Sequence, residues 1–375
     1  MTKLKISHKE LSSAIKAVTP SKKIKNPEEI DLQVLIRALD TKMKLTYRTQ
    51  DAELTQIIDM EDSVPENVAF TLPLKKLADL VAGMPSNSTV TITKGDEKHT
   101  LSCSENRSRY TMVGHSPSAF PLIGDEVSKK KSEVKIQSED LIKTIKSVKY
   151  SAAHEDVRYY LNGVSFKVAN SVLQLTATDG HRLADCKISV DTDNDVYANV
   201  ILATSTVNDV QTIIEDNSGE VTLSFSSNHL VVNAAETTVI ARLIDGKFPD
   251  SERVIPKNNE INIVLNKNQL KSSLKQAKVL SNEKFNGAKF IFGPEILQII
   301  ATNPTQEEAT EEFEVLSSDI THQITLGMNI TYLAQAINSI PDDHIVMTLR
   351  DETTSVLITS PNCEGLRAVV MPMRL

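Results

Sequence analysis

The chain has 375 residues, 40% of them hydrophobic, and a net charge of −8 from 41 Lys and Arg against 49 Asp and Glu. That length is too great for one ordinary core and suits three units of about 125 residues, while the acidic balance taken alone argues against a nucleic-acid partner. No apolar run approaches the roughly 20 residues of a membrane span, and the opening Lys3, Lys5, His8 and Lys9 leave no signal-peptide core, so a soluble, cytoplasmic protein is expected.

In chain order, Lys3 to Ile6 reads as a short strand feeding a helix with Leu11, Ile15 and Val18 on one face, an i, i+4, i+7 spacing. The same unit returns as Glu133 to Ile136 with Leu141, Ile145 and Val148, and again as Asn262 to Leu265 with Leu270, Leu274 and Ala277. Each strand ends five residues before the first apolar helix position, so one supersecondary unit is used three times. A second helix follows in each third, after another strand. It turns Leu77, Leu80 and Val81 inward, then Val210, Ile213 and Ile214, then Leu333, Ala336 and Ile337.

Alternating runs at Thr89 to Thr93, Val221 to Phe225 and Ile345 to Leu349 read as antiparallel strands joined by turns. Phe120-Pro121, Phe248-Pro249 and Met371-Pro372 stand near the end of each third. Boundaries fall in polar stretches at Gly124 to Lys131, with its Lys129-Lys130-Lys131 run, and at Ile255 to Glu260. The expected domains are therefore 1–125, 132–255 and 259–375. The repeat is too long for a solenoid unit, so each domain is expected to fold around its own core, as an α+β structure with two helices packed on antiparallel sheets.

One position past the second apolar residue of each first helix stand Lys16, Lys146 and Lys275. Lys143 and Lys149 join the second helix, Lys271 and Lys278 the third, and Lys22, Lys23 and Lys25 follow the first. Lysines on a single helix would be read as a solvated face. Repetition in register over three units points instead to a concerted basic surface, able to hold a polyanion at close range because charges beyond roughly 8 Å are screened at physiological salt.

Catalytic and metal motifs fail on their mechanics. His154-Glu155 opens like a zinc-protease helix, but Arg158 stands where the second histidine belongs. Asp191, Asp193 and Asp195 copy three calcium-loop ligands, yet Val196 replaces the turn glycine and Leu202 the bidentate glutamate. Cys103, Cys186 and Cys363 are odd in number and one per unit, which fits neither a disulfide framework nor a zinc site. The absence of Trp and a 4% aromatic content leave few stacking platforms for a single-strand binder.

The middle unit reads YYLNG from Tyr159 and ATDGHRLA from Ala177, where Asp179-Gly180 is a tight-turn signal at a strand end. Together with DGKFP (Asp245 to Pro249), SNEKF (Ser281 to Phe285), NPTQEEA (Asn303 to Ala309) and the terminal VVMPMRL (Val369 to Leu375), this resembles the bacterial sliding clamp family, the beta subunits of DNA polymerase III. The resemblance runs through the whole chain in order, strongly in the second and third units and weakly in the first.

The resemblance implies a DNA clamp fold: a head-to-tail homodimer in which two chains of three like domains close a ring around double-stranded DNA, helices lining the hole. DNA would be met without reading sequence by Lys16, Lys22, Lys23 and Lys25, by Lys146, Lys149, Arg158, Tyr159 and Tyr160, and by Lys275 and Lys278. The ring would close where Tyr110 and Met112 meet Val279 and Leu280 of the other copy, with Lys76, Arg107 and Arg109 facing Glu307, Glu308 and Glu311.

A peptide pocket for the DNA polymerase III catalytic subunit, the clamp loader and other clamp-binding-motif proteins is also implied. It would begin with Leu161, Thr178, Gly180, His181, Arg182 and Leu183 and be joined by Pro249, Arg253 and Val254. The third unit would add Phe285, Asn329, Tyr332, Ser355 and the tail Val369, Val370, Met371, Pro372, Met373, Arg374 and Leu375. No catalytic residue, metal or cofactor is implied, and no membrane. Thr204 and Ser205 depart from the basic residues common in the family, Thr353 from an apolar one and Glu252 from a basic one. A DNA-independent interaction scaffold on the same fold is the alternative, and it would not need lysines on every first helix.

Overall fold

Three helices in this chain start where a strand ends, with the last strand residue as the cap. Ser7 Oγ accepts from the Glu10 amide at 3.2 Å, Asn266 Oδ1 from the Gln269 amide at 3.0 Å and Asn329 Oδ1 from the Tyr332 amide at 3.0 Å. These caps start the helices α1 (His8–Val18), α6 (Lys267–Val279) and α7 (Ile330–Ser339). The others are α2 (Leu74–Ala82), α3 (Ser138–Val148), α4 (Thr204–Asp216) and the short α5 (Ser251–Val254). The computed structural model describes residues 2–22, 27–105, 107–127, 132–192 and 196–374. Lys23, Lys25, Lys129, Lys130, Lys131, Asp193, Asp195 and Leu375 lie outside the described residues.

The described residues fall into two compact units, the first made of 1–142, 190–196 and 205–243, the second of 143–189, 197–204 and 244–375. In the first, a four-stranded antiparallel sheet runs β1 (Lys3–Ser7), β4 (Thr89–Thr93), β5 (Lys98–Cys103), β6 (Arg109–Val113). A seven-stranded sheet runs β11 (Asp191–Thr192), β7 (Ser132–Gln137), β13 (Glu220–Phe225), β14 (His229–Ala234), β15 (Thr237–Arg242), β3 (Ala52–Pro73), β2 (Gln33–Arg48).

In the second unit, nine strands run β12 (Ala198–Ala203), β8 (Gly163–Ala169), β9 (Val172–Thr178), β10 (Arg182–Ser189), β24 (Cys363–Val370), β23 (Val356–Ser360), β22 (His344–Leu349), β16 (Ile261–Asn266), β20 (Ser317–Ser318). Four more run β19 (Glu308–Glu314), β18 (Ile296–Thr302), β17 (Gly287–Phe292), β21 (Ile324–Asn329).

The three repeated helix faces are the buried ones: Leu11, Ile15 and Val18, Leu141, Ile145 and Val148, and Leu270, Leu274 and Ala277 all lie in the core. α1 packs on α2 and β3, and α6 on α7. The sheets run on from one repeat into the next. β15 of the middle repeat pairs with β3 of the first, from Thr237↔Gln56 to Ala241↔Ala52, and β10 pairs with β24 of the third, from Arg182↔Val370 to Cys186↔Leu366. An edge strand left bare at the end of a repeat would expose a row of unpaired backbone groups, and a ladder to the neighbouring repeat satisfies them. Ile255, placed by composition at the start of a polar linker, is buried with Leu183 and Val369.

Candidate functional site

The turn between β9 and β10 is built by Asp179. Its Oδ1 accepts the amides of His181 and Arg182 at 2.9 and 3.1 Å, and its Oδ2 accepts Arg182 Nε at 3.0 Å. Gly180 takes φ +91, the left-handed region that glycine tolerates, and a Cβ there would come within 3.1 Å of Arg158 Nη1. Thr178 Oγ1 closes the turn, accepting the Gly180 amide and donating to the Arg182 carbonyl.

Arg182 leaves this turn fully engaged. Nη1 donates to Gln335 Oε1 of α7, Nη2 to the Tyr150 carbonyl at 2.7 Å, and the guanidinium lies over the rings of Tyr332 and Tyr150. Burial pushes both tyrosine phenols up from their ordinary pKa. Asp179 is legible in the sequence as a turn residue, though not as a partner of Arg182, and nothing local marks Tyr150 or Gln335.

The chain's last strand completes the arrangement. Beyond the β10–β24 ladder, the Met371 amide donates to the His181 carbonyl at 3.0 Å and the Met373 amide to the Gly327 carbonyl at 2.7 Å. Asn329 Nδ2 donates to the Phe285 carbonyl at 3.0 Å, leaving the Phe285 ring 56% exposed. A cavity of 700 Å³ is lined by Phe285, Met373 and Arg374 together with Lys289, Ile300 and Glu308. A second hollow, of 490 Å³, is lined by Arg253, Val254 and Ser355. Of the other residues expected in the pocket, Leu161, Thr178, Leu183, Val369 and Val370 are buried and line neither hollow, while Pro249 is exposed just before α5.

Glu252 and its neighbours brace the same sheet. Fully buried Asp185 accepts Gln174 Nε2 at 2.6 Å, Thr176 Oγ1 at 2.7 Å and Arg367 Nη2 at 2.6 Å, and Arg367 Nη2 also reaches Glu252 Oε1 at 2.8 Å. Arg367, then Lys187 at 2.8 Å, hold the Glu252 carboxyl down at about 2.

The basic residues are placed unevenly. Lys22, Lys146, Lys275 and Lys278 are exposed and Lys149 is half-buried. Lys16 is exposed but meets Asp216 of α4 at 2.9 Å. Arg158 grips Asp156 through Nε at 3.0 Å and Nη2 at 2.8 Å, which keeps the Asp156 carboxyl at about 2, and also donates to the Asp179 carbonyl. Tyr159 is exposed beside half-buried Tyr160, their rings edge to face at 6.1 Å.

Among the described residues, β6 and β19 each end their four-stranded sheet with one side unpaired. Met112, expected to meet another copy, is only 5% exposed, enclosed by the core of its own unit; Val113, at 55%, is the exposed apolar residue of that strand. Val279 is 78% exposed and Leu280 and Tyr110 are half-buried. Lys76, Arg107 and Arg109 are exposed, as are Glu307 and Glu308, while Glu311 is half-buried with its carboxylate against the Gln276 amide group. Among the described residues no group of three or more His, Cys, Asp or Glu could hold a metal, and no helix is long and apolar enough to cross a membrane.

Family models described as DNA polymerase III beta subunit, central domain and C-terminal domain, match residues 135–250 and 252–374. The beta sliding clamp of Haemophilus influenzae is 31% identical over 342 residues, and that of Pseudomonas aeruginosa is 30% identical over 342, each match covering 91% of both chains. The crystal structure of the Pseudomonas aeruginosa DNA polymerase III subunit beta superposes with a TM-score of 0.93 at 28% identity, covering 100% of both chains. A sliding clamp from the same organism, bound to griselimycin, also gives 0.93 at 28% identity, covering 100% of this chain and 99% of the other. By these matches this chain belongs to the DNA polymerase III beta subunit family, the beta sliding clamps.

Proposed function

We propose that the protein encircles duplex DNA as a head-to-tail homodimer and tethers the replicative polymerase, the clamp loader and other proteins bearing clamp-binding motifs. It is a DNA sliding clamp, and its family acts by tethering rather than by catalysis. Residues 1–125, 132–255 and 259–375 would be the three clamp domains of each chain. A closed ring needs little affinity for DNA, since topology retains it while weak phosphate contacts permit sliding.

The observation that carries the reading is the ladder from Arg182↔Val370 to Cys186↔Leu366, which joins two segments 188 positions apart that both match the family. It supports a peptide groove between the Asp179 to Arg182 turn, Tyr332, Phe285 and the tail, with exposed Phe285 and Met371 as apolar walls. Each buried Leu or Phe anchor of a peptide contributes roughly 1.5–3 kcal/mol, so two or three anchors less the ordering cost give affinities around micromolar. Closure would pair the edges of β6 and β19 between copies, a strand entered through Arg107 and Arg109 against an acidic one, and a heterologous contact of this kind must close to avoid filaments. Action in the cytoplasm follows from that role.

Retention on circular against linearised DNA after loading tests the ring. Loss from the linear form and retention on the circle is expected; equal retention on both would leave an interaction scaffold.

A further inference from the structure

α4 carries Asp209, Glu215 and Asp216 and no Lys or Arg. It has no side chain with which to meet a phosphate by charge, unlike α1, α3 and α6. What it holds instead is Ser21, three residues past the end of α1. The Ser21 amide donates to Asp209 Oδ1 at 2.6 Å, and Ser21 Oγ donates to the Ser205 carbonyl at 3.1 Å. The pair of Lys16 and Asp216, 2.9 Å apart, ties the same two helices a second time.

Asp209 is 5% exposed, and burial raises its pKa while the hydrogen bonds from Ser21 oppose the rise. A buried carboxylate persists only where hydrogen bonds satisfy it. Here a donor comes from a surface segment of a different repeat, so the carboxylate and the segment hold each other. Lys22 is the next residue and is exposed. With the amide and hydroxyl of Ser21 both held, less conformational freedom remains at the neighbouring Lys22 to be lost when its ammonium meets an anion.

We propose that Asp209 and the Ser205 carbonyl are positioning groups that aim Lys22 at the phosphates of the encircled duplex. An acidic helix thereby serves DNA binding through the basic segment it grips. The proposal rests on the reading of the protein as a DNA-encircling clamp.

The test is a double-mutant cycle on the full-length protein, reading the salt dependence of its affinity for a fluorescein-labelled duplex between about 50 and 200 mM NaCl. Lys22→Gln and Asp209→Ala should each lower the slope by about one unit, and the double variant by no more than either alone. Asp209→Asn keeps an oxygen for the Ser21 amide and should restore the slope. Additive losses, or an Asp209→Ala protein that melts earlier with its slope intact, would overturn the positioning role and leave Lys22 as a DNA contact. A Lys22→Gln protein with an unchanged slope would remove Lys22 from the DNA surface and the proposal with it. If Asp209→Ala does not fold, Ser21→Pro, which deletes the amide donor, is judged by the same criterion.

Discussion

The guanidinium carbon of Arg182 stands 4.3 Å from the centre of the Tyr332 ring, and the two residues lock a turn of one repeat to a helix of another. With Nε on Asp179, Nη1 on Gln335 and Nη2 on the Tyr150 carbonyl, the planar fork is used on every side. Arg182 therefore holds the turn and Tyr332 in place, and on the proposed reading it would act on a bound peptide only through them.

Lysine cannot reproduce a planar fork stacked on a ring. Arg182→Lys should lower the unfolding free energy by about 2 kcal/mol and weaken peptide binding with it. Urea unfolding followed alongside peptide anisotropy checks both, and a variant with an unmoved midpoint would show that the fork is dispensable.

Deleting Pro372 to Leu375 removes the Met373 bond to Gly327 and part of the groove wall. Peptide affinity should fall at least tenfold, about 1.4 kcal/mol, while the dimer persists because the β24 ladder ends at Val370. Unchanged binding by a dimeric truncation would sink the pocket assignment.

At the other edge of the same unit, Val279 is a large apolar side chain in water. If it is covered by a second copy, Val279→Asp should shift the monomer–dimer equilibrium on the order of 30-fold toward monomer. Sedimentation across a concentration series reads this directly, and an unmoved equilibrium takes Val279 out of the interface.

Glu252 supplies a pH dependence with a definite sign. Its carboxyl is held at about 2 against an ordinary 4.5, so it favours the folded state above pH 4.5, and that contribution fades as pH falls toward 2. The side chain is 43% exposed, so screening reduces the effect to the order of 1 kcal/mol. Glu252→Gln should be less stable than the parent at pH 7 by that amount and close to it near pH 2; a gap independent of pH would assign the loss to packing.

Neutralising Lys146, Lys149 and Lys275 together should lower the salt slope of DNA binding by about three units, with little difference between sequences. A slope unchanged by all three substitutions would mean that the repeated basic positions do not face the duplex.

What could be read from residues alone was what is local. The i, i+4, i+7 faces of α1, α3 and α6 needed only helical periodicity, and Thr89 to Thr93 needed only alternation. Which strand would pair with which could not be read, because a period of two states a face and not a neighbour. That is why β15 beside β3 and β10 beside β24 came from the structure. The partner of Lys16 could not be read either, because Asp216 is 200 positions away in sequence. At the groove, the ATDGHRLA and VVMPMRL segments were recognisable, whereas Tyr150 and Gln335 matter only through where Arg182 points.

The sharing of strands across repeats makes the middle third a poor module. Cut out as 132–255, it would carry β15 without β3 and β10 without β24, two naked strand edges in one fragment. Such edges template pairing with any other chain, so the excised piece would oligomerise or aggregate instead of standing alone. Grafting or swapping the middle third between relatives should accordingly succeed only when β3 and β24 travel with it.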